Sequence, residues 1–277
     1  MINIAEQSKT FASDGTVLRH SDRPQPRYSL PRAIKNFRLL IKDKEDTSLV
    51  FKIYESLPDK GFIDRVKAAS LSERGEMLRR TEPNLPEILD DHAGLRKTPK
   101  GSLAHAYCDF MEKEGLSAAG LVAEAEKLGR PKYPDLVQWY AERSRDTHDL
   151  FHVLTGYGRD ALGEQCVLLF THGQSPSQGH LLIGYAGAAN IKLQIRGSKA
   201  PVFGAVNQAR RTGKGAPKLI EQPIRELLTQ PIDDVRAALN IPDPTIYREC
   251  HRIWREEGID PYDMLVGRDD NGELASV

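Results

Sequence analysis

A chain of 277 residues is long enough to bury a sizeable core, as one large domain or two small ones. Its formal net charge is zero, with 39 basic and 39 acidic residues, which argues against wholesale nucleic-acid binding. No apolar run approaches the roughly 20 residues needed to span a bilayer, so any membrane attachment would be peripheral.

Residues 1–30 are polar, and Pro24, Pro26 and Pro31 break regular patterns, so they read as an extended, flexible arm. The first residues lack the apolar stretch of a secretory signal, and Glu6 and Asp14 make a poor mitochondrial transit peptide. From Arg32 to Lys42, the residues Ile34, Phe37, Leu40 and Ile41 fall on one helical stripe. Asp46 is an N-cap candidate for a helix holding Leu49, Val50, Ile53 and Leu57, stopped by Pro58. Further helices fit Phe62–Ala69 and the segment opened by Ser72, and Pro83 and Pro86 then mark a loop. Leu103–Lys113 and Leu116–Leu128 follow, the second stopped by Gly129 and Pro131. The next helix should begin near Asp135, with Pro134 just inside its first turn, and lead through Trp139 and Arg143 to His148.

Past that helix, His172–Gly179 reads as a loop. The helix after it carries Gly184, Ala186, Gly187, Ala188 and Ala189, small residues that admit either a neighbouring helix or an elongated apolar ligand. Pro201–Arg211 looks helical, and Arg210, Arg211, Lys214 and Lys218 follow at its end, where positive charge complements the helix dipole or meets an anionic lipid or phosphate. Ile232–Leu239 and Thr245–Glu257 are the last helices, and residues 259–277 form a polar tail. Strand alternation is scarce throughout. The expectation is an all-α protein with one mostly helical domain over residues 31–258. Cys108, Cys166 and Cys250 are odd in number and lack metal-ligand spacing, which marks them as packing residues of a reduced, intracellular protein.

The densest chemistry lies between Arg143 and Glu164. His148 and His152 stand four apart, on one helical face, where two imidazoles reach one divalent metal. Asp149 adds a carboxylate about 100° around the axis. Thr155, Gly156 and Gly158 allow a turn, and a helix restarting at Asp160 would aim Glu164 back at the histidines. Two nitrogens and one or two carboxylates suit zinc, iron, manganese or cobalt, and residue types do not choose between them. Arg145, three residues before His148, and Arg143 are placed either to hold a departing carboxylate or to pair with Glu142 and Asp146.

The spacing of His148, Asp149, His152 and Glu164 resembles the signature of the fourth coenzyme Q (ubiquinone) biosynthesis protein family. Arg143, Arg145, Thr155-Gly156 and Gly163-Glu164 fit the same pattern, as do Thr98–Ser102, Gly213-Lys214, Pro231–Arg236 and Leu239–Ile241. The likeness runs from Leu85 to Ile241. It implies a role in ubiquinone synthesis, with a polyprenylated 4-hydroxybenzoate-type intermediate losing its ring carbon 1 carboxyl to a hydroxyl in an oxidative decarboxylation. It also implies a lipid-accommodating cavity along Leu150–Leu154 and Leu181–Ala189, and a metal set of His148, Asp149, His152 and Glu164. Arg143, Arg145 and Asp149 would then be catalytic. The expected partners are the prenyl lipid, the inner face of a membrane met from the cytoplasm, other ubiquinone-biosynthesis proteins and a second copy of the chain as a homodimer.

Two further classes remain. A non-catalytic scaffold would hold a prenyl tail and gather enzymes, with a structural metal. A metal-dependent phosphohydrolase would need another His and Asp, for which His105 and Asp109 are candidates. The arm before Pro31 and the stretch Gln165–Gln178 depart from the family pattern.

Overall fold

The computed structural model describes residues 4–43 and 46–264, so the tail beyond residue 264 lies outside the described residues. Within them the regular structure is helical, and strand pairing is confined to isolated bridges. The single turn α1 (Ile4–Gln7) precedes α2 (Leu30–Lys42), which starts where the Ser29 hydroxyl accepts from the Arg32 amide and Pro31 fits the first turn. Asp46 caps α3 (Thr47–Ser56), as its position predicts. Then come α4 (Phe62–Ser70) and α5 (Glu73–Thr81), the latter capped by Ser72 on the Gly75 amide.

The expected loop at Pro83 and Pro86 is instead cut short by α6 (Leu85–Asp90). Pro86 sits in its first turn, where a missing amide proton breaks no helical hydrogen bond. Next are α7 (His92–Leu95), α8 (Leu103–Glu114), α9 (Ala118–Glu126) and α10 (Leu136–Asp146). Asp135 is the cap of α10, so Pro134 stands before the helix and not inside it. After α11 (His148–Thr155) and α12 (Ala161–Gln174), the His172–Gly179 loop contracts to three residues, because Ser177 caps α13 (Gln178–Gln194) on the His180 amide. The chain closes with α14 (Val202–Gly215), α15 (Ile224–Leu228), α16 (Ile232–Ala238) and α17 (Thr245–Glu257).

These helices form two compact units, and the division between them falls inside α11. One comprises residues 4–26, 58–149 and 218–232. Its core sets Leu136, Val137 and Tyr140 of α10 against Val66 and Ala69 of α4, with Phe62 edge-on to Tyr140 at 5.7 Å. Ala12 and Leu18 belong to this core, so the N-terminal segment is not a free arm. Its carbonyls at Val17 and Leu18 accept the Leu136 and Val137 amides, which would otherwise be orphaned at the start of α10. Arg23 grips the buried Asp135 with two hydrogen bonds of 2.8 Å. Prolines exclude a helix there, yet the extended chain they leave is well suited to this docking.

The other unit comprises residues 27–43, 46–57, 150–217 and 233–264. Here α12 packs on α13 and α14, α14 packs on α17, and the α2–α3 pair lies against α13. Ala33, Leu40, Ile53 and Leu57 meet Ile183 in the resulting core. The small residues of α13 serve this packing. A Cβ on Gly184 would fall inside the Leu169 side chain of α12, and one on Gly187 would strike the Gln165 amide. At these two positions the small residues serve close helix packing.

Candidate metal centre

The helix expected to run unbroken to His148 is broken one residue earlier. Thr147 is fully buried, its hydroxyl donates to the Arg143 carbonyl at 3.0 Å, and α10 ends there. The chain restarts as α11, which carries His148 and His152 one turn apart on a single short helix. Gly156 then takes a left-handed φ of 72°, a conformation that a β-carbon disfavours, and turns the chain. Arg236 donates to the Val153 and Leu154 carbonyls at 3.0 and 2.9 Å, satisfying acceptors that the end of α11 leaves open.

The returning helix is set by Asp160. One of its carboxylate oxygens accepts the Leu162 and Gly163 amides and so caps α12. The other accepts a hydrogen bond from the Tyr247 hydroxyl of α17, which in turn accepts the Gly158 amide at 2.9 Å. Burial, reinforced by the Asp160 charge, holds the Tyr247 hydroxyl well above the usual phenol range, so it stays a donor. His251 brings its Nε2 to 3.3 Å from Asp160. Gly163 lies so close to the Gly158 carbonyl that a side chain there would overlap it.

Glu164, in the first turn of α12, thereby comes back to the histidines. His148, His152 and Glu164 each offer a donor atom, and these lie within 4.8 Å of one another. His152 is almost wholly buried, and its Nδ1 is 3.0 Å from the Tyr157 carbonyl. A carbonyl only accepts, so that contact puts a proton on Nδ1 and turns Nε2 toward Glu164, 3.7 Å away. An imidazole so fixed is how proteins present a ring nitrogen to a metal. Two imidazoles and a carboxylate are borderline donors that suit a divalent first-row cation, so the residues fit the group.

The remaining expected residues have partners of their own. Asp149 is not part of the three-donor group, and its charge adds to burial in raising the Tyr107 hydroxyl. Arg143 is 2% exposed, pairs with Glu82 at 2.8 Å, and donates to the Ile220 and Gln222 carbonyls at 2.7 Å each. Arg145 pairs with Asp146 at 2.7 Å. His105 bonds the Thr98 carbonyl and Asp109 pairs with Arg96, so neither supplies the extra ligands that a phosphohydrolase would need.

Sequence reasoning missed Arg159, whose Nε lies 3.6 Å from Glu164. Its only signal was its place in the turn. Also missed was a second group, His92, Cys108 and Glu112, with donor atoms within 4.8 Å of one another. The spacing of Cys108 and Glu112, four apart on α8, was available but pairs two residue types of no familiar motif.

The sequence profile of the coenzyme Q (ubiquinone) biosynthesis protein Coq4 family matches residues 59–245. A mitochondrial ubiquinone biosynthesis protein coq4 of Penicillium rubens is 25% identical over 214 residues, covering 76% of this chain and 71% of that protein. The counterpart from Aspergillus terreus is also 25% identical, over 91% of this chain and 89% of its own length. In three dimensions the chain is similar to a crystal structure of a proposed ubiquinone biosynthesis protein from Nostoc punctiforme, with a TM-score of 0.54 and 21% identity. That match covers 78% of this chain and all of the other, and it supports the helical fold alone.

Proposed function

This chain belongs to the coenzyme Q (ubiquinone) biosynthesis protein Coq4 family, whose role is ubiquinone biosynthesis, and from that premise we propose that it is a metal-dependent oxidative decarboxylase. Its substrate is a polyprenylated 4-hydroxybenzoate-type intermediate. The bond from ring carbon 1 to the carboxyl breaks, carbon dioxide leaves, and a hydroxyl from water takes its place, with dioxygen as the two-electron oxidant, reduced to hydrogen peroxide. The observation that carries the reading is the convergence of His148, His152 and Glu164, with the His152 Nε2 turned toward the Glu164 carboxylate. A divalent cation held by these three would draw charge from a phenol or carboxylate oxygen as carbon dioxide leaves.

The chain's own residues supply the rest. Tyr157 fixes the His152 tautomer through its carbonyl. Arg159 stands beside Glu164, where its guanidinium meets the substrate carboxylate in place of the occupied Arg143 and Arg145. Asp149 acts from outside the donor group. The test is to load the protein with iron, manganese or zinc, add prenylated hydroxybenzoate and oxygen, and follow carbon dioxide. Glu164→Gln should lower release at least tenfold, about 1.4 kcal/mol of transition-state stabilisation, and weaken metal binding. Asp149→Asn should weaken metal binding less.

The engagement of both Arg143 and Arg145 in ion pairs favours a second reading, a scaffold that holds a prenylated lipid and gathers partner enzymes or a second copy of itself. No carbon dioxide from the parent protein with any metal would select it.

Either reading needs a surface that meets lipid. No helix of the described residues is long and apolar enough to cross a membrane. The helix α2 exposes Leu30, Ile34 and Leu39 alongside Arg32, Lys35, Arg38 and Lys42, and it contains no acidic residue. Such a helix lies in the headgroup region of an anionic bilayer. Flotation with anionic vesicles should be lost in the double variant Ile34→Glu, Leu39→Glu.

A further inference from the structure

The second donor group repeats the plan of the first. Cys108 and Glu112 stand four apart on α8, as His148 and His152 do on α11, and His92 from α7 completes the set as Glu164 completes the other. Cys108 is fully buried, yet its thiol does not face apolar side chains alone, because an imidazole nitrogen and a carboxylate oxygen lie within 4.8 Å. His92 is already held toward Glu112, with its Nδ1 3.1 Å from Oε1, and its ring meets Tyr107 edge-on at 6.2 Å.

The neighbouring charges complete the case. Arg96 donates to Asp109 at 2.6 Å and to the Oε2 oxygen of Glu112 at 2.7 Å, which leaves Oε1 on the side of His92. A guanidinium in that position orients a carboxylate ligand without occupying the oxygen that binds. Thiolate, imidazole and carboxylate together form a set suited to zinc, softer than the nitrogen and oxygen donors of the first centre.

We propose that His92, Cys108 and Glu112 form a second, structural site for a zinc-like divalent cation, fastening the short α7 to α8. The site is independent of the centre on α11 and α12, and its chemistry is binding only.

Cobalt(II), added to the metal-stripped full-length chain, is the probe. Coordination by Cys108 should give a thiolate-to-cobalt charge-transfer band in the near ultraviolet, a signature that nitrogen and oxygen ligands do not produce. The band should persist in His148→Ala, vanish in Cys108→Ser, and need at least ten times more cobalt in His92→Ala. His92 is only half-buried, so its variant keeps the test decisive if Cys108→Ser fails to fold. No band in the parent, the same band in Cys108→Ser, or a His92→Ala variant titrating like the parent would overturn the proposal. Loss of the band in His148→Ala would also overturn it, by assigning the thiolate to the other centre. Failure of the carbon dioxide assay leaves this result untouched.

Discussion

Replacing Arg143 by alanine would strand the Glu82 carboxylate, itself only 2% exposed, without its guanidinium partner. Removing one member of a buried pair costs about 3–5 kcal/mol, so the variant should be strongly destabilised in urea melts, whatever happens at the metal. Tyr247→Phe removes a buried donor to Asp160 and leaves the Gly158 amide unpaired, and a loss of about 1–3 kcal/mol is expected from the same measurement. Asp14 responds to pH instead. Hydrogen bonds from Thr16, with help from Arg79, hold its carboxyl down at about 2. A depressed folded-state value means that its contribution is present above the unfolded value of 3.8 and lost as pH falls toward 2. Thermal melts of Asp14→Asn should therefore differ from the parent at pH 6 and converge with it near pH 2. Of the expected site residues, the histidine pair and Glu164 were legible because helical spacing and one glycine turn fix their relation. Arg143 was not: its partners Glu82, Ile220 and Gln222 are remote in sequence, and nothing local distinguishes a guanidinium bound for a buried carboxylate from one bound for a substrate.

At the scale of elements, periodicity located nearly every long helix, and side-chain caps at Asp46, Ser72 and Asp135 fixed where several begin. The failures cluster where tertiary bonding decides. Thr147 ends α10 inside a pattern that reads as continuous, and residues 10–24 dock because they complete a helix start that lies more than a hundred residues away. The glycine and alanine stripe of α13 was ambiguous for a physical reason: smallness states that something comes close, never what. Leu169 and Gln165 provide the answer, and it can be tested. Gly184→Leu forces a side chain into space that Leu169 already fills, and overpacking of this kind costs about 1–3 kcal/mol. Calorimetry should show a lowered melting temperature, whereas a vacant lipid path along α13 would accept the leucine with little change.

For the whole molecule, the feature with the widest reach is that each unit is assembled from three separated stretches of chain, with the stretches of one lying between those of the other. During synthesis the unit that begins with α1 still lacks residues 218–232 when all of its other parts have emerged from the ribosome. The other unit waits longer, for α17. Neither can close early, and long loops must be closed before native contacts repay their entropy. Nascent chains should stay protease-sensitive until residue 232 is clear of the exit tunnel, which a series of stalled translation products can measure. Apolar faces such as the one that α8 turns to α15 remain uncovered for most of that interval, inviting chaperones or aggregation. Variants far from the metal ligands should therefore reduce the amount of protein that a cell accumulates before they alter what each molecule does.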